Sequence, residues 1–488
     1  MNSEELPPSD RLRAQLAVNT IAQVAGSFGG ALIGLVTFFV LARGLGPSAY
    51  GDYTAATAYL FFPIVLVDGA LTVGVVRDIS AAPERTERAM RAFLPLAAAV
   101  SVVIISLLVA VGLALPFTAR MKVALLIGAV GAFITLMTFS LRPYFQARLE
   151  MLQYAVTTVV GRIVTLALVC AAFALDVGFK SVVAATVVGP AVTFPLQLLL
   201  IARHISIRPR LDLGYWRRLA IRSSLVSVAS AISQMITRLD TMILALVRSP
   251  TEVGYYGAAY RFLDIPATAG NAVSVSLFPP AARLVAVGNE ARVRELTHRA
   301  MDVLIAGTVP FMLLMLGFPE EILRWTAGPE YVEGATAVQI LAFALPLSFA
   351  NQILFSVHAA YHADRFLLAV AVVALAITVV LALVLIPDYG FKAAAVVTVT
   401  VQGIVATLMG VVAARRYGVL PRIRYSVTVA MAALPAIVVI LFLPGPRLVA
   451  AAAALASYGL VVVLAPGTVH EEAQRLRARG RGGVLPRR

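Results

Sequence analysis

Charge is what this sequence has least of. Asp, Glu, Lys and Arg make up 13% of its 488 residues, against 60% hydrophobic ones. A soluble domain carries about 25% charged and 45–50% apolar residues, so a water-facing surface has too little charge to cover it, and a soluble globular fold is excluded. Cysteine is nearly absent. The single Cys170 excludes disulfides within the chain and thiolate metal clusters. No G-x-x-x-x-G-K-[ST] loop occurs, which excludes P-loop ATP hydrolysis. Strict apolar/polar alternation is also lacking, which argues against a membrane β-barrel.

What is present is a succession of continuous apolar runs, each of the roughly 20 residues that cross a hydrocarbon core. Fourteen can be read, at about 16–42, 53–76, 91–115, 121–141, 153–175, 180–202, 219–247, 254–280, 300–318, 336–357, 366–387, 392–414, 425–443 and 447–467. The fold class is therefore an all-α polytopic membrane protein. Its polar start, Met1 to Gln15, places acids before Arg11 and Arg13 and precedes a run far longer than a 7–15-residue signal core, so no cleaved signal peptide is expected.

Positive charge orients the chain, because cytoplasmic loops hold the Lys/Arg excess. With the N-terminus inside, the tails and the loops on that side carry 29 of the 40 basic residues. The opposite loops carry 8: Arg43, Arg120, Lys122, Lys180, Arg248, Arg324, Lys392 and Arg447. Both termini are expected in the cytoplasm. The net charge of +15 then reflects topology and an anionic inner leaflet rather than nucleic-acid binding.

Two short segments recur. Pro47, Gly51, Tyr53, Ala55 and Ala56 match Pro250, Gly254, Tyr256, Ala258 and Ala259 at an offset of 203, and Asp176-Val177-Gly178-Phe179-Lys180 returns as Asp388-Tyr389-Gly390-Phe391-Lys392 at an offset of 212. Each match falls at the same topological place. The chain reads as two parallel six-helix lobes plus a C-terminal helix pair, a plan used by transporters that rock one half against the other. The expected parts are a tail over 1–15, an N-lobe over 16–203 and a cytoplasmic inter-lobe loop over 204–218. A C-lobe over 219–414, helices 13–14 over 425–467 and a basic tail over 468–488 complete the chain.

Ionisable groups inside spans are costly and point to function. Asp68 lies in helix 2, Arg162 in helix 5, Arg238 and Asp240 in helix 7, and Arg261 and Asp264 in helix 8. Helical spacing gathers polar residues into stripes: Gln234 with Arg238, Arg261 with Asp264 and Asn271, Asn19 with Gln23, and Asn351 with Gln352. Such stripes want water or a polar substrate beside them. A plainer reading stands next to this. Across the helix 7–8 hairpin, Asp240 matches Arg261 in depth and Arg238 matches Asp264, so the four residues also fit two structural ion pairs. Gly26, Gly30 and Gly34 have the spacing of close helix packing. His358 and His362 are expected at the interface. The buried acids and arginines nearly balance in number.

Asn19 on the first span, Leu41-Ala42-Arg43-Gly44-Leu45-Gly46-Pro47 through Tyr50-Gly51-Asp52-Tyr53, Asp68 and Val76-Arg77-Asp78-Ile79-Ser80 make this chain similar to bacterial and archaeal polysaccharide-exporter flippases, and so does Asp240 followed by Val253-Gly254-Tyr255-Tyr256. These flippases of O-antigen and other lipid-linked oligosaccharides belong to the multidrug/oligosaccharidyl-lipid/polysaccharide exporter superfamily. The resemblance implies a carrier in the cell (inner) membrane that turns a polyprenyl-(pyro)phosphate-linked oligosaccharide from the inner to the outer leaflet for surface-glycan synthesis. Arg162, Arg238 and Arg261 would meet the phosphates, and Gln234, Asn271, Asn19, Gln23, Asn351 and Gln352 the sugar. Asp68, Asp240 and Asp264 would serve a coupling ion, proton or sodium, or a switch. No catalytic residue, metal or other cofactor is expected. The expected partners are the glycan lipid, membrane lipids and polysaccharide-assembly enzymes. A drug/cation antiporter of the same superfamily is the alternative, and a membrane glycan polymerase or ligase fits less well, because the longest outer connection runs only from Pro319 to Ala335.

Overall fold

In the computed structural model, residues 8–67, 73–81, 83–148, 150–206, 208–221 and 225–419 are described, with scattered positions between 431 and 458. All regular structure among them is helical. Helix α1 (Pro8–Val67) reverses at Gly46, whose φ of 70° and ψ of 169° no helix contains. There Pro47 removes a backbone donor and glycine tolerates the left-handed φ. Helices α2 (Val73–Ala81), α3 (Thr86–Ala114), α4 (Ala119–Ala147), α5 (Met151–Ala174) and α6 (Gly178–Ala202) follow, then α7 (Leu213–Ile221) and α8 (Leu225–Val247). Next come α9 (Pro250–Ala286), α10 (Glu290–Gly317), α11 (Pro319–Thr326), α12 (Ala335–Ala342), α13 (Ala344–Ala360) and α14 (Asp364–Tyr417). Helix α14 repeats the device of α1, reversing at Gly390 with φ of 58°.

Eight helices among the described residues are long and apolar enough to cross a membrane, or nine if the pair bent by 41° at Phe343 counts as one. The chain is a multi-pass membrane protein. Helix α9, where the eighth span is expected, is long enough but falls outside the eight on composition. Expected spans 13 and 14 lie outside the described residues, apart from scattered positions.

Several boundaries differ from expectation, each for a local reason. The inter-lobe segment is not an open loop, since it contains α7. Asp212 starts that helix by accepting the Tyr215 backbone N–H (2.8 Å) on its side chain, as a capping residue does. Trp216 then donates its indole N–H to the Ala92 carbonyl (2.8 Å), and Arg210 N–H bonds the Arg91 carbonyl (2.9 Å), so the segment is tied to α3. The Tyr215 N–H and then the nearby Arg88 hold the Asp212 carboxyl below its usual range, while burial, with the Asp78 charge next, pushes the Tyr215 hydroxyl up. The connection from Pro319 carries α11 and a 3₁₀ turn, Pro329–Gly334, rather than loop alone. His358, expected at the interface, is fully buried among neighbouring helices, with Nε2 3.0 Å from the Met409 carbonyl and Nδ1 3.4 Å from the Tyr417 hydroxyl.

Helices α1 and α3–α6 pack among themselves, as do α8–α10 and α12–α14, and the two sets meet along α1 against α8 and α9. The first recurring pair, 46–56 and 249–259, sits in that seam, at the end of the bundle that holds the Pro47 and Pro250 turns, hereafter the turn end. A Cβ on Gly51 would strike the Pro250 carbonyl, and one on Gly254 would strike the Pro47 carbonyl. Backbone touches backbone there, and only glycine fits. Gly257 packs on Thr54 in the same way.

Candidate functional site

Below the glycine seam lies a group of charges built on α8 and α9. Arg238 Nη2 donates to Asp264 Oδ2 at 2.8 Å. Arg261, one turn before Asp264 on α9, places Nη1 3.8 Å from the same oxygen. The Arg238 guanidinium also lies 4.9 Å from the Tyr260 ring centroid and 5.7 Å from that of Phe61, within cation–π range. Phe61 belongs to α1, so Arg238 touches both helix sets. The side chains of Arg238, Asp264 and Arg261 stay 25%, 29% and 40% exposed, which leaves the cluster within reach of a solute.

Asp240 does not join them. It is 2% exposed. Its Oδ2 accepts the Tyr256 hydroxyl at 2.5 Å and the Thr398 hydroxyl at 2.6 Å, and its Oδ1 accepts the Thr241 N–H at 2.6 Å. The second of the two ion pairs read from the hairpin, Asp240 with Arg261, is therefore not formed. Helical geometry explains this. At 3.6 residues per turn, positions 238 and 240 point about 200° apart, so a side that turns Arg238 toward α9 turns Asp240 toward α14. With Asp240 satisfied inside the second set, the charges that meet on α8 and α9 are unequal among the described residues, which do not include Asp68. Two arginines share one carboxylate.

Arg162 stands apart on α5. It is exposed, and its guanidinium rests against Gly30 of α1, where a Cβ would lie 2.8 Å from Nη1. Gly26 is pressed on Ala155 in the same interface. The glycine stripe is thus a packing surface, and it also makes room for this arginine. Among the described residues Arg162 has no hydrogen-bonding or ion-pairing partner.

The polar candidates divide. Gln234 and Asn271 are exposed, one and two turns from the charges on α8 and α9. Asn351 turns away, donating Nδ2 to the Gln402 side chain (2.6 Å) and carbonyl (3.0 Å) of α14. Gln352 packs beside Gly270 of α9, and its backbone carbonyl accepts the Ser274 hydroxyl at 2.6 Å. Asn351 thus links α13 to α14 through its side chain, and Gln352 links α13 to α9 through its backbone carbonyl. Asp68 and the side chains of Asn19 and Gln23 lie outside the described residues. Sequence reasoning missed Tyr260 and Phe61. Tyr256, Tyr260 and Asp264 fall at i, i+4 and i+8, a face the polar stripe alone does not capture. Thr398, in an apolar run, gives no signal of its own.

The comparisons with known proteins agree with this architecture. A family model described as polysaccharide biosynthesis protein matches residues 16–285, more than half the chain, and one described as MatE matches 226–384. The structure resembles that of the lipid II flippase MurJ in an inward closed conformation, with a TM-score of 0.72 at 15% identity, covering 91% of this chain and 98% of the other. It also resembles an inward-facing multidrug resistance MATE transporter of the MOP superfamily (TM-score 0.63, 15% identity, 82% and 98% covered). A third similar structure is that of the MATE multidrug transporter DinF-BH, solved as a complex (TM-score 0.64, 18% identity, 86% and 99% covered). Among curated proteins no sequence match is found. A fold shared over most of the chain with these structures, and a family match spanning the seam and its charges, lead to one assignment: the chain belongs to the polysaccharide biosynthesis protein family.

Proposed function

We propose that this protein is a flippase for an anionic lipid-linked saccharide, carrying a polyprenyl-(pyro)phosphate-linked oligosaccharide from the inner to the outer leaflet by alternating access. The observation that carries the reading is the surplus of guanidinium over carboxylate among the described residues of the site. Arg238 and Arg261 share Asp264, and Arg162 has no acid among the described residues. A phosphate-linked sugar cannot cross hydrocarbon with its polar groups unpaired, and arginine forks match phosphate oxygens two at a time. Gln234 and Asn271, exposed on the same two helices, would meet sugar hydroxyls.

The turn end is read as facing outward and both termini as cytoplasmic, on the distribution of Lys and Arg. With the seam closed at that end, the charges would receive a headgroup from the cytoplasmic side. Asp240 takes the part of the switch. It joins α8, α9 and α14 through one carboxylate, so protonation or a bound sodium ion would change how those helices pack. Asp264 is assigned instead to positioning, since it holds two arginines together. The MatE match over 226–384 favours one second reading, a drug/cation antiporter, for which a net cationic site is the wrong sign.

Reconstitution into vesicles separates the two. Transfer of a fluorescent polyprenyl-diphosphate saccharide should be lost in Arg238→Ala and Arg261→Ala, with no transport of cationic dyes in the parent protein. Full transfer in both variants, or dye transport in place of lipid transfer, would reject the reading.

A further inference from the structure

The segment Pro319–Gly334 has no counterpart of its length in the first repeat, where the equivalent helices α3 and α4 are joined by 115–118 alone. It is continuous with α10 and α12 of the second set, yet it grips α1 of the first. Arg43, just before the Gly46 reversal, donates to the carbonyl of Trp325 in the last turn of α11. Carbonyls in a last helical turn lack partners within their own helix, so this grip meets an existing need. The Tyr331 hydroxyl donates to the Ala42 carbonyl at 2.9 Å. A Cβ on Gly46 would stand 3.3 Å from the Glu330 carboxylate.

Between these points the Tyr331 ring, 1% exposed, is wedged across the seam. Its centroid lies 6.1 Å from that of Tyr50 on α1 and 6.3 Å from that of Tyr255 on α9, edge-on to both at 71° and 74°. All of this sits at the turn end, the same end as the Gly51–Pro250 and Gly254–Pro47 approaches. Parting the two helix sets there breaks the Tyr331–Ala42 hydrogen bond and the Tyr331–Tyr50 ring contact.

We propose that Pro319–Gly334 is a latch holding the turn end shut, with Tyr331 as its bolt and Arg43 as a second catch. The contacts are suited to reversible release. They comprise two hydrogen bonds to backbone carbonyls and one ring between two others, and no ion pair between Arg43 or Tyr331 and the opposite set. The latch goes beyond the flippase reading and does not depend on the cargo, because any carrier that alternates by parting these sets must undo it.

The test uses the full chain purified into nanodiscs, where both faces meet solvent. Exposed Cys170 is replaced by Ser, and Thr54→Cys is the reporter, since the Thr54 hydroxyl is buried in the seam beside Gly257. The rate of modification by a water-soluble maleimide is compared among parent, Tyr331→Ala, Tyr331→Phe and Arg43→Ala. Tyr331→Ala should raise it tenfold or more. Tyr331→Phe and Arg43→Ala, each losing one hydrogen bond, should raise it about threefold. Arg43 is exposed, so its replacement keeps the experiment informative should the tyrosine variants fail to fold. Unchanged rates in Arg43→Ala and Tyr331→Phe would overturn the latch. So would an equal rise at a buried control, Thr378→Cys in α14, which would mean general loosening. No cargo enters this measurement, so its failure leaves the arginine site standing, and failure of the arginine variants leaves the latch standing.

Discussion

Arg238→Ala tests whether Arg238 serves the cargo or only the fold. Its charge-assisted bond to Asp264 at 2.8 Å contributes about 1.5–3 kcal/mol, and its partly exposed ring contacts contribute about 0.5–1 kcal/mol each. Asp264 keeps Arg261 at 3.8 Å, so the carboxylate is not stranded and the net loss of stability should be about 2 kcal/mol. If Arg238 also holds a phosphate, flipping loses a second interaction of about 1.5–3 kcal/mol, which is roughly 10- to 150-fold at 1.4 kcal/mol per factor of ten. The companion variant is Asp264→Asn, which removes the shared carboxylate and leaves both guanidinium groups. A purely structural pair predicts that Arg238→Ala, Asp264→Asn and the double variant lose flipping equally, the signature of a fully coupled cycle. A phosphate site predicts that Asp264→Asn keeps or tightens headgroup binding while Arg238→Ala loses it. Arg238→Lys should recover only part of the loss, because a point charge lacks the fork. The assay is transfer of a fluorescent polyprenyl-diphosphate saccharide in vesicles, paired with thermal unfolding in detergent. Equal losses across the cycle, or an Arg238→Ala protein that flips at the parent rate, would refute the argument.

Asp240→Asn should leave the protein folded but abolish the dependence of flipping on a proton or sodium gradient, and a parent-like dependence in vesicles would remove Asp240 from coupling. Thr398→Val deletes one donor to that carboxylate and should lower thermal stability by about 1–2 kcal/mol, read by unfolding in detergent. Gly51→Leu or Gly254→Leu should prevent the turn end from closing, because each new side chain meets a proline carbonyl; flipping should fall at least tenfold, with the seam open to thiol reagents. The depressed Asp212 carboxyl stabilises the docked inter-lobe segment at pH above the usual carboxylate pKa of about 4. That contribution is lost as pH falls through the lower folded value, so amide exchange over 208–221, corrected for intrinsic rates, should lose protection in acid and do so at higher pH in Arg88→Ala.

Composition alone makes the membrane architecture legible, because apolar runs of spanning length with few charges leave no other solution. The repeat of Pro47–Gly51 at Pro250–Gly254 is legible too, though as a pattern; that the two copies press on each other across the seam is a fact of three dimensions. The charges on α8 and α9 are found by burial cost, yet their pairing is not. Depth matching alone couples Asp240 to Arg261, while the 200° between positions 238 and 240 sends Asp240 to Tyr256 and Thr398 instead. Asn351 misleads for a related reason. A polar side chain in an apolar helix can face a cavity or a neighbouring helix, and only packing shows that it meets Gln402. His358 reads as interfacial from its place near a helix end, but α14 covers it.

The repeat also explains why the chemistry is lopsided in a nearly symmetric frame. Positions 51 and 254, offset by 203, share glycine because both copies need the same close approach. At the same offset position 264 corresponds to position 61, where the second repeat has Asp and the first has Phe. Arg238 touches both, bonding the carboxylate of one and facing the ring of the other. A guanidinium in contact with equivalent positions of both repeats lies close to the axis that relates them. Two carboxylates there would neutralise Arg238 and Arg261 completely, and two phenylalanines would leave both arginines without an acid in a low-dielectric site. One of each holds the pair in place and, among the described residues, leaves more guanidinium than carboxylate where the two sets meet, as the proposed anionic cargo would require.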